Sequence, residues 1–77
     1  MNEYTYTIIL EPDLVEGGYT VSVPSLPGCV TQGETVEEAT AMAKDAIRLF
    51  IETLLESGET VPEEREHPRA ITISVAA

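Results

Sequence analysis

The sequence predicts an α+β domain of element order β-β-β-α-β, with one helix packed on one face of a four-stranded sheet. Three observations predict it. Apolar residues recur at every second position in residues 4–10, 19–23 and 70–75, the period of a half-buried strand. Between Val36 and Leu55 they recur at spacings of three, four and seven, the period of a helix with one buried face. Glycines and prolines stand between these runs and never inside them, so the punctuation agrees with the periodicity.

In residues 4–10, Tyr4, Tyr6, Ile8 and Leu10 alternate with Thr5 and Thr7, which sets the four larger residues inward. Residues 11–18 are acidic and end in Gly17-Gly18, a hairpin connection into a second strand, antiparallel to the first, with Tyr19, Val21 and Val23 inward. Pro24 and Pro27 donate no ladder hydrogen bond, so the chain leaves the sheet there, and Gly28 frees the backbone for a short third strand over residues 29–32. Thr35 and Glu38 form a capping-box pair: the hydroxyl accepts from the Glu38 amide, and the carboxylate is expected to reach back to the Thr35 amide. The helix that follows turns Val36, Ala39, Ala43, Ala46, Ile47, Phe50, Ile51, Leu54 and Leu55 to the core and stops at Gly58. Its early alanines imply a close approach to the sheet. Residues 57–69 carry Pro62, Pro68 and the run Glu63-Glu64-Arg65-Glu66-His67, and read as a solvated loop. Ile71, Ile73 and Val75 then share one face of a fourth strand, which a right-handed crossover lays parallel to the first in the order 3-2-1-4.

A single domain over residues 1–77 is as much as this length allows, with a thin core. With one cysteine there is no internal disulfide, so packing or self-association must stabilise it, and a homo-oligomer (dimer or tetramer) is expected. No run approaches the roughly 18 apolar residues that span a bilayer, and the N-terminus lacks a signal-peptide layout. A cytoplasmic protein with no membrane contact is the expectation. Fourteen acidic against four basic residues give a net charge of −10, which repels phosphate backbones and excludes direct nucleic-acid binding as an expected role. Such a field attracts a cationic partner; the plainer alternative is that it serves solubility. The sheet face away from the helix would show Thr5, Thr7, Ile9, Thr20, Ser22, Thr72 and Ser74, with no charge. It is either an ordinary solvated face or a contact surface for a second subunit, for which Thr5, Thr7, Ile9, Thr20 and Ser22 are the candidates.

Residues suited to catalysis are sparse. His67 is the sole histidine and cannot by itself build a metal site or a triad, and it reads as a surface residue. Cys29 has no basic neighbour in sequence to lower its pKa, and reads as a small buried hydrophobe. A two-metal nuclease needs converging carboxylates on rigid elements, and the strand interiors hold none. No catalytic, metal or cofactor residue is therefore assigned.

The stretch Gly18-Tyr19, Val21, Val23-Pro24, Leu26-Pro27-Gly28-Cys29, Thr31, Gly33, Thr35 and Glu37-Glu38-Ala39 resembles the HicB family of type II antitoxins, and the similarity runs on to Gly58-Glu59 and Pro62. The resemblance implies a partial ribonuclease H-like fold. It also implies that the chain binds and masks a HicA-like toxin, a small basic ribonuclease that cleaves messenger RNA. Many members carry a further C-terminal DNA-binding domain, and with the chain ending at Ala77 promoter binding is not expected of it. Charge and exposure nominate Glu11, Asp13 and Glu16 in the hairpin, and Glu59, Glu63, Glu64 and Glu66 in the later loop, as partner-binding residues. Two alternatives stand beside this reading: a stand-alone oligomeric interaction domain without a toxin, and a divergent metal-dependent nuclease.

Overall fold

A computed structural model describes residues 3–77. Strands β1 (Ile9–Pro12), β2 (Tyr19–Ser22) and β3 (Val30–Gly33) form an antiparallel meander in the order β1-β2-β3, and α1 (Val36–Glu56) packs across β2 and β3. Cross-strand register sets Ile9 opposite Ser22 and Val21 opposite Thr31. Val21 is fully buried against Ala39 and Ala43, with Ile8, Leu10 and Tyr19 closing around them. Alternation along β2 is thus the reason one face meets the helix.

The helix termini follow from local chemistry. The Thr35 hydroxyl accepts from the Glu38 amide at 3.0 Å, while the Glu38 carboxylate accepts from Glu34 N–H at 3.2 Å, one residue before the Thr35 amide expected from the sequence. At the other end Glu59 N–H donates to Leu54 O and Gly58 N–H to Leu55 O, the paired bonds of a Schellman stop. Gly58 takes φ 72°, which its missing Cβ permits.

Between β2 and β3 the chain folds inward. Leu26 N–H donates to Val23 O at 2.9 Å and Cys29 N–H to Leu26 O at 3.0 Å, two tight turns in which Pro24 and Pro27 occupy positions that need no donor. Val23, Leu26 and Cys29 are buried together against Tyr6, Ile8, Ala46, Ile47 and Phe50. This second cluster doubles the core. Burial pushes the Cys29 thiol pKa up, consistent with a packing role.

Helix and sheet meet most closely at Gly33. A Cβ placed there would stand 2.5 Å from Ala39 N and 2.6 Å from Ala39 Cα, so the early alanines and this glycine together allow the approach. Gly33→Ala is expected to push the first turn of α1 off β3 and lower stability by about 1–3 kcal/mol, the usual range for overpacking. Urea unfolding checks it, and a midpoint equal to that of the unsubstituted chain would show that the approach is not tight.

Val36 and Leu55, expected on the core face of the helix, are 48% and 56% exposed near its two ends, and two further expectations need correction. Residues 4–8 lie outside the ladder, because continuing the register would set Thr7 opposite Pro24, which has no N–H and has already turned away. Tyr6 and Ile8 nevertheless point to the core as their period requires, and Tyr4 stacks on Tyr6 with ring centroids 6.5 Å apart. Second, the sheet has three strands, and residues 70–75 pair with none of them, so the order 3-2-1-4 is not formed. The cause lies upstream, in the segment before Pro68, which fastens the chain elsewhere.

Candidate functional site

Residues 59–67, expected as a solvated loop, are tied down by one carboxylate. Glu64 accepts from the Thr7 amide at 2.9 and 3.0 Å, from the Thr7 hydroxyl at 2.7 Å and from the Ser25 hydroxyl at 2.8 Å. The His67 ring nitrogen Nδ1 also meets it. Its side chain is only 2% exposed. The Thr7 amide, followed by the His67 ring and the two hydroxyls, draws the Glu64 pKa down to about 2 despite the opposing desolvation. Tyr6 adds a hydrogen bond from its hydroxyl to Pro62 O at 2.5 Å. Burial raises the Tyr6 pKa, and the nearby Tyr4, Glu63 and Glu64 add to the shift. Glu64 is therefore a structural clamp whose oxygens face inward.

The remaining candidate acids fall at two separate ends of the molecule. Asp13 folds the hairpin loop: its Oδ1 accepts from the Val15 and Glu16 amides at 3.0 Å each, and these bonds lower its pKa, that of Glu16 contributing most. They leave Glu11 and Glu16 exposed and raise Leu14 and Val15 to 94% and 93% exposure at the loop tip. Gly18 lies against the Gly33 carbonyl and Glu34, so the hairpin shares this end of the fold with the start of α1. The exposed Glu34, Glu37 and Glu38 join Glu11 and Glu16 there. This end of the fold thus carries several exposed acids together with two bare aliphatic side chains. Neither Leu14 nor Val15 was marked by periodicity, since two adjacent apolar residues in a turn match no period; their position in a six-residue hairpin connection was the available signal.

At the opposite end, Glu63 and Glu66 are exposed in the segment that Glu64 ties to Thr7 and Ser25, and Glu59 is exposed just after α1. Glu63 faces the Arg65 guanidinium at 3.7 Å, an exposed pair of little energetic weight. The two acidic groups nominated from the sequence are therefore not one surface. The outer sheet face gathers Ile9, Thr20 and Ser22, but it also carries Glu11, so it is not free of charge; Thr5 and Thr7 precede β1, with Thr7 held by Glu64.

Among the described residues, no three His, Cys, Asp or Glu side chains gather as a metal-ligating group, and no helix is long and apolar enough to cross a membrane. What the surface offers chemically is charge and apolar contact, the elements of protein recognition.

Comparison with known proteins places these features in a family. Residues 6–72 match the family described as HicB-like antitoxin of bacterial toxin-antitoxin system. A UPF0150 protein of Thermoplasma acidophilum is 46% identical over 68 residues, covering 88% of this chain and 94% of the relative. Antitoxin HicB of Escherichia coli strain K12 is 38% identical over 77 residues, covering 94% of this chain and 55% of that protein. Antitoxin HicB 1 of Photorhabdus laumondii is 47% identical over 57 residues, 74% of this chain and 36% of the relative. The chain thus spans about half or less of these two relatives named antitoxins, and nearly all of the archaeal one. On the extent of the match, the chain belongs to the HicB-like antitoxin family.

Proposed function

We propose that this protein is an antitoxin-type module that binds and masks a small basic HicA-like ribonuclease, without catalysis of its own. The observation that carries the reading is the family match over residues 6–72, with relatives named HicB antitoxins. The surface supports it physically. A ribonuclease that holds RNA must present cationic side chains, and a chain of net charge −10 is drawn to them. Glu11, Glu16, Glu34 and Glu37 are the exposed acids that meet those cations, and Leu14 and Val15 supply apolar contact at the same end. Glu59, Glu63 and Glu66 add to the long-range field from the far end, while Asp13 and Glu64 shape the backbone. The site of action is then the cytoplasm, where the toxin and its messenger RNA substrates meet.

The test is co-expression and co-purification with a small basic HicA-like protein from the same genome. A complex is expected, and its association rate should fall at least about tenfold in a Glu11→Lys/Glu16→Lys variant, because charges at an interface rim act mainly on encounter. The same pair of changes at Glu63 and Glu66 should slow association less. Absence of any complex with the unsubstituted chain would overturn the reading. The stand-alone interaction domain remains the second reading, favoured by the uncovered apolar arm at residues 69–77.

A further inference from the structure

An apolar groove of about 1060 Å³ lies between the N-terminal segment that precedes β1 and α1. Tyr4, Tyr6 and Ile8 form one wall; Ile47, Ile51 and Leu55 form the other. Lys44 and Arg48 share its rim with Glu3 and Glu52, so the mouth is close to neutral although the chain is strongly acidic. Among the described residues, nothing of the same chain fills it. Every residue from Arg65 to Ala77 is exposed, and Ile71, Ile73 and Val75 are 74%, 74% and 79% exposed. The Glu64 clamp on Thr7 and Ser25, followed by Pro68, leaves this arm outside the sheet.

We propose that the 69–77 arm of one copy fills this groove in a second copy, and that the second copy returns its own arm, giving a two-fold exchanged dimer. The dimensions agree. Ile71 to Val75 spans about 13 Å as a strand, Tyr4 to Ile8 covers the same rise, and Ile47 to Leu55 covers about 12 Å of helix. Three apolar side chains of the arm therefore meet three on each wall. Charge agrees as well: residues 69–77 contain Arg69 and no acidic side chain, so the arm approaches an acidic copy without repulsion. The exchange covers the open side of residues 4–8, the segment that leads into β1, together with the facing stretch of α1. The two-fold axis exchanges the two arm-to-groove contacts, so together they form one closed, isologous interface. The dimer does not depend on a toxin.

Light scattering on the full chain at micromolar concentration should give twice the 8.4 kDa monomer mass. Ile71→Asp/Ile73→Asp alters only exposed positions of the monomer and should halve that mass while leaving the helical circular dichroism unchanged. In a sample mixing isotope-labelled and unlabelled chains, filtered NOEs should connect arm isoleucine methyls of one chain to the Tyr4 or Tyr6 ring of another. A monomeric full chain, a dimer that survives the double substitution, or arm-to-tyrosine NOEs confined within single chains would each overturn the proposal, the last by showing that the arm closes on its own groove.

Discussion

Leu26→Ala is expected to destabilise the protein by about 2–5 kcal/mol, the range for truncating a fully buried leucine. Leu26 is 0% exposed, although it sits between two prolines in a connection. Its side chain is buried with Val23 and Cys29 in the cluster that Tyr6, Ile8 and the α1 residues Ala46, Ile47 and Phe50 cover, and its amide and carbonyl both bond within the turn. Truncation removes three side-chain carbons, and the hydrogen-bonded turn around them has little freedom to collapse into the space. In a chain this short each kcal/mol shifts Tm by roughly 4–8 °C, so the melting temperature should fall by about 8 °C or more. Leu14→Ala is the control. At 94% exposure Leu14 contributes almost nothing to folding, and its replacement should stay within about 0.5 kcal/mol of the unsubstituted chain. Equal losses at the two leucines would refute the assignment of Leu26 to the core.

Glu64→Gln is expected to remove a distinct piece of the acid sensitivity of folding. The Glu64 carboxyl has its pKa drawn from 4.5 to about 2 in the folded chain, chiefly by the Thr7 amide. A depressed carboxyl contributes its full stabilisation above its unfolded value, and loses it as pH falls toward the folded value. The contribution is therefore complete above about pH 4.5 and gone near pH 2. Glutamine keeps the shape, but it has no charge and turns an amide donor toward a site made of donors: Thr7 N–H, Thr7 Oγ1 and Ser25 Oγ. The variant should be clearly less stable at pH 7, and the gap between the two proteins should shrink steadily as pH drops through that window. Urea unfolding at a series of pH values reads both. A gap that is constant with pH would mean that Glu64 is not charged against these donors. The variant should also loosen residues 60–67, detected as faster proteolysis near Pro62, since the Tyr6 hydroxyl would then be the remaining side-chain bond from the N-terminal segment to it.

Much of the fold was legible because it is written in short-range chemistry. Thr35 and Glu38 announce the helix start three residues apart, Gly58 announces its end, and the period of Ala39, Ala43, Ile47 and Ile51 selects the buried face. Val21 and Val23 are buried, as alternation along the second strand requires. The family signature at residues 18–39 overlaps the hairpin, the inward turn and the cap, the parts where backbone geometry restricts residue type most. The acidic end was legible only in part: Glu11 and Glu16 stood out by charge, whereas Glu34 and Glu37 looked like simple companions of a helix N-terminus.

The sequence by itself determined the class of the domain, its family, its caps and which side of each element is apolar, since all of these follow from residues within a few positions of one another. Only the tertiary structure decided what the acidic loop does, because Ser25 and Thr7, which anchor Glu64 to the rest of the fold, lie 39 and 57 residues away and no local pattern encodes them. It likewise left Ile71, Ile73 and Val75 outside the sheet. Alternation demands that such a face be covered, but which surface covers it depends on where a distant carboxylate has anchored the chain.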